Sequence, residues 1–69
     1  MRIIYTFHAG IKIKERKIHV IWIEETIKSP DSIKKKGTVF EAAKKIDGIT
    51  LTVVYEKERY IKVITIYWE

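Results

Sequence analysis

The chain has 69 residues, with fourteen Lys and Arg against nine Asp and Glu, a net charge of +5 at pH 7 and a pI near 9.6. That length permits one small domain over residues 1–69, and a hydrophobic fraction of 46% is too high for a disordered basic tail. The lack of cysteine excludes disulfides, a thiolate nucleophile and a cysteine zinc site, and the longest apolar runs, such as Val20 to Ile23, are too short to span a bilayer.

At the N-terminus, Met1-Arg2-Ile3-Ile4-Tyr5 lacks the apolar stretch of a secretion signal, which implies a cytoplasmic protein. Fourteen Ile, one Leu and no Asn or Gln form the pattern of thermophile proteins, so abundant lysine is not by itself a phosphate-binding signal. Ile, Val and Thr supply 25 of the 69 residues, and these β-branched side chains make a sheet the expected framework. Arg2 to Phe7 alternates and reads as a strand. Residues 9 to 17 fit two readings. Ile11-Lys12-Ile13-Lys14 with Lys17-Ile18-His19-Val20 suits a hairpin around Glu15-Arg16, whereas Ala9 and Ile13, four apart, suit a helix. Residues 20 to 28 favour helix, from the spacing of Val20, Ile23 and Ile27, and Ser29-Pro30 stops it. Lys34-Lys35-Lys36 before Gly37 reads as a solvated charge run that nucleic acid could also use.

Asp47-Gly48 is the clearest signal, because both residues tolerate the positive φ of a type I′ hairpin turn. Alternating segments flank it, Thr38 to Ile46 and Ile49 to Glu56. A second reversal at Lys57-Glu58 leads into Tyr60 to Trp68, so the C-terminal half reads as a three-stranded antiparallel meander. Pairing across Asp47-Gly48 sets Ile46 against Ile49, Ala42 against Val53 and Phe40 against Tyr55. Pairing across Lys57-Glu58 sets Tyr55 against Tyr60, Leu51 against Ile64 and Ile49 against Ile66. The expected core face carries Phe40, Ala42, Ile46, Ile49, Leu51, Val53, Tyr55, Tyr60, Ile64 and Ile66. The other face mixes Glu41, Lys45, Thr50, Thr52, Glu56, Arg59, Thr65 and Tyr67 with Val39, Val54, Ile61 and Val63. A binding surface belongs there.

His8-Ala9, Ile13, Glu15-Arg16, Ile18, a helix-like stretch to Ile27, Pro30-Asp31, Asp47-Gly48 and the closing Val63-Ile64-Thr65-Ile66-Tyr67 together resemble one family pattern. It is that of a small domain of unknown function placed in the RelE/BrnT-like toxin superfamily, and it spans roughly residues 5 to 67. The resemblance implies an α+β fold: an N-terminal strand, two helices, then a three- to four-stranded antiparallel sheet (RelE-like). It thereby turns residues 9 to 17 towards helix. His19 stands where the family tends to have a stronger N-cap such as Ser or Asp. Superfamily members of known activity are metal-independent endoribonucleases silenced by a partner antitoxin, so the resemblance implies RNA and an antitoxin protein as partners and no cofactor.

RNA cleavage without a metal needs a base for the 2′-hydroxyl, cations for the phosphorane and an acid for the departing 5′-oxygen. His8 could serve as acid or base, since an imidazole titrates near neutrality. Arg16, eight residues on, would share its helical face and could clamp a phosphate. Glu41, Lys45, Arg59 and Tyr67 offer a base, two cations and a phenol on the mixed face. The expected catalytic set is therefore His8, Arg16, Lys45 and Tyr67, with Lys14, Lys44 and Arg59 as RNA contacts. Each has a structural reading too. His8 can cap a helix and Arg16 can pair with a carboxylate. Lys44-Lys45 can guard a strand edge, and Thr65 and Tyr67 can simply pack. Trp22 and Trp68 suit core or interface anchoring better than base stacking.

Other chemistries fare worse. His8 and His19 are eleven apart with no evident third ligand, so no metal is expected. Ser29 and Ser32 flank Pro30 without a nucleophile elbow, and no glycine-rich phosphate loop occurs. Two readings stand: an antitoxin-controlled endoribonuclease, and a non-catalytic basic RNA- or protein-binding module of the same fold. A homodimer through exposed strand edges is a third, architectural one.

Overall fold

A computed structural model describes residues 2–69. The chain forms β1 (Ile3–Tyr5), α1 (Phe7–Glu15), α2 (Val20–Lys28), β2 (Ser32–Lys36), β3 (Val39–Ile46), β4 (Ile49–Lys57) and β5 (Ile61–Trp68). The strands make one sheet in the order β1-β5-β4-β3-β2. Both helices lie on a single side of it, where Ala9, Ile18 and Ile23 join Ala42, Leu51, Val53, Tyr55, Ile61, Val63 and Ile66 in the core. Each large aliphatic chain buried there contributes about 1.5–3 kcal/mol.

Residues 9 to 15 are helical, and Thr6 explains why. Its backbone is extended, at φ −68° and ψ 164°, and its Oγ1 accepts a hydrogen bond from the Ala9 N–H at 3.1 Å. That N-cap ends the first strand at Tyr5 and starts the helix at Phe7, earlier than the alternation of Arg2 to Phe7 implied. Lys17, at φ +50°, then turns the chain, and α2 begins after His19 without a side-chain cap. The His19 ring instead meets Trp22 edge-on at 4.4 Å, and Trp22 meets Trp68 at 5.7 Å. The Thr26 hydroxyl, fully buried, donates to the Trp22 carbonyl at 2.8 Å.

The sheet has five strands and is mixed, which corrects the expected three- to four-stranded antiparallel one. The lysine run is strand β2, antiparallel to β3 from Ser32↔Ala43 to Lys36↔Val39. Gly37, at φ +62°, makes the tight turn that permits this pairing. As an edge strand β2 keeps its lysines solvated while its backbone pairs on one side. On the far edge β1 runs parallel to β5, from Ile3↔Ile61 to Tyr5↔Val63. The two helices carry the chain from β1 at one edge across the sheet to β2 at the other, and the meander β2–β5 then returns it beside β1.

The β3–β4 register matches expectation, with Ile46↔Ile49, Ala42↔Val53 and Phe40↔Tyr55. The β4–β5 register does not. Observed pairs are Leu51↔Trp68, Val53↔Ile66, Tyr55↔Val63 and Lys57↔Ile61, with an irregularity between Val54 and Tyr55. Residues 58–60 form a three-residue reversal, and Ile64 is an extra residue opposite that irregularity. The Ile64 carbonyl accepts from the Thr6 hydroxyl at 3.0 Å, so the helix cap also fastens the bulge. Consequently Ile61 and Val63 enter the core, while Tyr60 and Ile49 are exposed.

Candidate surface on the uncovered sheet face

Alternation decides which side chains face away from the helices. In β3, Ala42 is buried and Lys44 reaches back to the Ser29 carbonyl at 2.9 Å, so Val39, Glu41, Ala43 and Lys45 point to the open side. Cross-strand pairing then sets two rows on that side. One runs Ser32, Ala43, Thr52 and Tyr67, and the next runs Lys34, Glu41, Val54 and Thr65. Small side chains at Ser32 and Ala43 leave a hollow beside the Tyr67 ring. The result is a shallow cleft of about 210 Å³ lined by Ser32, Lys34, Glu41, Thr52, Tyr67 and Glu69, among others. A smaller hollow of about 160 Å³ between Lys34, Lys36, Val39 and Glu41 adjoins it.

Burial pushes the Tyr67 phenol above its ordinary value, and the Glu41 and Glu69 carboxylates push it further. A hydrogen bond with Thr52 acts the other way, and the net direction is upward. Tyr67 is therefore a protonated donor at neutral pH. Glu41 lies directly across from Lys34. Lys45 stands opposite Thr50, itself a cleft residue, and its backbone N–H donates to Asp31 Oδ2 at 2.8 Å. The open face carries Lys34, Lys36, Lys45 and Lys62 against Glu41, Glu56 and Glu69. Among the described residues, Lys62 alone of these four is ion-paired, 3.4 Å from Glu56, which also accepts from the Thr38 hydroxyl at 3.3 Å. Open to solvent as expected, this side is mixed in charge rather than wholly cationic.

The structure divides the expected site. Tyr67 and Lys45 share the open face. His8 and Lys14 are exposed on α1, in the layer across the sheet, and Arg16 is the exposed C-cap residue beyond it. The Arg16 N–H closes the last turn of α1 on the Lys12 carbonyl at 3.0 Å, so Arg16 ends the same helix that begins beside His8, about two turns on. Lys44 is committed to the end of α2. Arg59 occupies the β4–β5 reversal, at least about 17 Å along the strands from Tyr67. Sequence reasoning gave Lys34 a nucleic-acid role only as the alternative for its charge run, placed Thr52 on the mixed face without a role, and gave Glu69 none. The alternation of Ser32, Lys34 and Lys36, mirrored by Val39, Glu41 and Ala43 across Gly37-Thr38, is the signal that finds Lys34. Among the described residues no three His, Asp or Glu cluster closely enough to hold a metal. No helix among them is long and apolar enough to cross a membrane.

Residues 5–68 match the family model described as Domain of unknown function (DUF4258), and the chain belongs to that family. No curated protein and no solved structure matches it.

Proposed function

We propose that this DUF4258 protein binds RNA on its uncovered sheet face and cleaves it there without a metal, as a RelE/BrnT-like toxin held silent by an antitoxin in the cytoplasm. One observation carries the reading: a phenol kept protonated, a carboxylate and Lys34 line one solvent-open cleft, with Lys45 beside it opposite Thr50. Glu41 takes the proton of a 2′-hydroxyl, whose oxygen bonds to the adjacent phosphorus. Lys34 and Lys45 stabilise the added charge. Tyr67 gives its proton to the 5′-oxygen as the P–O bond breaks, leaving a 2′,3′-cyclic phosphate and a 5′-hydroxyl. A phenol above its ordinary pKa remains a far stronger acid than the alcohol it protonates. His8 and Arg16, in the other layer, have no part in this step.

The test is cleavage of a labelled RNA by the purified chain. Tyr67→Phe and Glu41→Gln are each expected to slow cleavage by about 10²–10⁴-fold, the usual worth of a general acid or base. His8→Ala leaves the rate unchanged. Activity that needs Tyr67 protonated persists through neutral pH and falls only above about pH 10, where a free phenol ionises. The mixed charge of the face favours a second reading, a non-catalytic binding module. That reading predicts no cleavage by any variant, with affinity that weakens steeply as salt rises.

A further inference from the structure

We propose that the outer face of α1 is the contact through which two copies of this chain pair antiparallel, about a two-fold axis. Phe7, Gly10, Ile11 and Lys14 line a groove there. Their spacing of three, four and seven makes them one stripe of the helix. Phe7 is 87% exposed, the most exposed large hydrophobic side chain among the described residues, and Ile11 is 39% exposed. An aromatic ring left in water on a rigid helix gains nothing for the fold. Gly10 stands mid-helix, where glycine weakens the element relative to alanine, yet a Cβ there would meet nothing within 4 Å. Internal packing explains neither residue. A helix approaching from outside explains both.

The order of the stripe selects the occupant. Read forwards it is Phe, Gly, Ile, Lys, and read backwards it places large opposite small. With the axis between residues 10 and 11, Ile11 of each copy fills the notch over the other's Gly10. Lys14 of each lies over the other's Phe7, a cation–π contact. Charge agrees with this direction. The half of α1 from Phe7 to Ile11 holds no Lys, Arg, Asp or Glu, whereas Lys12, Lys14, Arg16 and Lys17 follow it with a single acid, Glu15, which pairs with Lys12 at 3.6 Å. Antiparallel pairing lays the cationic half on the uncharged half. The two Lys14 side chains then originate about 10 Å apart along the axis, beyond the roughly 8 Å screening length at physiological salt. Pairing through strand edges is poorly served, since β1 has three residues and β2 is rich in lysine. A contact of one short helix on another buries less than about 1,200 Å², so the pair is reversible and concentration-dependent. Both uncovered sheet faces point outward, which makes this inference independent of RNA binding.

Sedimentation equilibrium of the full chain, from micromolar to millimolar loading, tests it. The mass is expected to rise from 8.2 kDa towards twice that value. Gly10→Gln fills the notch without a clash inside the monomer, so its melting temperature in dilute solution is no lower, and rises with the better helix former, but it associates at least tenfold more weakly. Phe7→Ala acts in the same direction. Because the chain has no cysteine, Phe7→Cys and Lys14→Cys variants mixed under mild oxidation report orientation, and a bond between the two different variants is expected. A chain that stays monomeric throughout overturns the proposal and leaves the stripe to another occupant, such as an acidic helix of a different protein. A dimer that survives Gly10→Gln, or that links Phe7→Cys to itself in preference, overturns it too. RNA binding by Gly10→Gln is unaffected in every case.

Discussion

Thr6 joins three elements through one side chain. Its oxygen caps α1 at Ala9, its proton holds the Ile64 carbonyl at the bulge, and its N–H bonds the Val63 carbonyl at 3.0 Å. Thr6→Val preserves shape and removes both side-chain bonds. With each bond worth about 0.5–1.5 kcal/mol and the Ile64 carbonyl half-buried, the loss is expected to be about 1–3 kcal/mol. Thermal melts measure it directly, and Thr6→Ser should recover most of the stability. A melting temperature unmoved by Thr6→Val would contradict this role. The same dependence on local geometry holds for the paired lysines of β3. Lys44 and Lys45 are adjacent in sequence, yet one closes the end of α2 and the other stands in solvent beside the cleft. Residue type alone assigns them one role, and the pleat of the strand gives them two.

At the scale of elements, local signals read well and compensating ones read poorly. Asp47-Gly48 set the β3–β4 register correctly, because both residues take the positive φ this turn requires, +51° and +85°. The Ser29-Pro30 stop and the helical spacing of residues 20 to 28 likewise survive in α2. The β4–β5 register failed because the chain reverses over residues 58–60 rather than at Lys57-Glu58, which moves Ile61 and Val63 onto the core face; a one-residue bulge at Ile64 then keeps Ile66 there, and composition marks neither event. Strand β2 was hidden by its lysines, which look like a solvated run until the mirrored alternation across Gly37 is considered. The parallel β1–β5 pairing depends on residues far apart in sequence, so no local pattern announces it. The open face as a surface was legible, since both hairpins alternate. Which cations reach it was not, because that depends on β2 and on the Lys44 hydrogen bond. The observed register makes a separable prediction. Val63→Ala, at a fully buried position, is expected to cost about 1–3 kcal/mol, whereas Ile49→Ala, 53% exposed, costs about 0.5 kcal/mol or less. The register implied by simple alternation predicts the reverse order, and chemical denaturation of the two variants decides between them.

The whole molecule is a sheet dressed on one side only. Helices seal the face that carries the core, and the opposite face keeps its charged side chains in water while Thr52 is buried among its neighbours. That asymmetry gives so small a chain a broad surface without a buried cavity. Its charges sort accordingly. Lys34 and Lys36 of β2 and Lys45 of β3 stand around the cleft, while Lys62 of β5 is paired with Glu56. The cations of α1 form a second basic region, across the sheet from Tyr67. A polyanion can therefore choose between two sides of the protein, and net charge does not say which.

Salt-dependent binding of a labelled single-stranded RNA decides it, comparing a Lys34→Met, Lys45→Met double variant with a Lys14→Met, Lys44→Met double variant. For a single strand, each phosphate that a variant no longer neutralises lowers the slope of log affinity against log salt by about 0.7. The open-face pair is expected to weaken binding and flatten that slope by about 1.4, and the helix-side pair to leave both unchanged. If the helix-side pair flattens the slope while the open-face pair does not, the RNA surface lies on the wrong side of the sheet and the account is refuted.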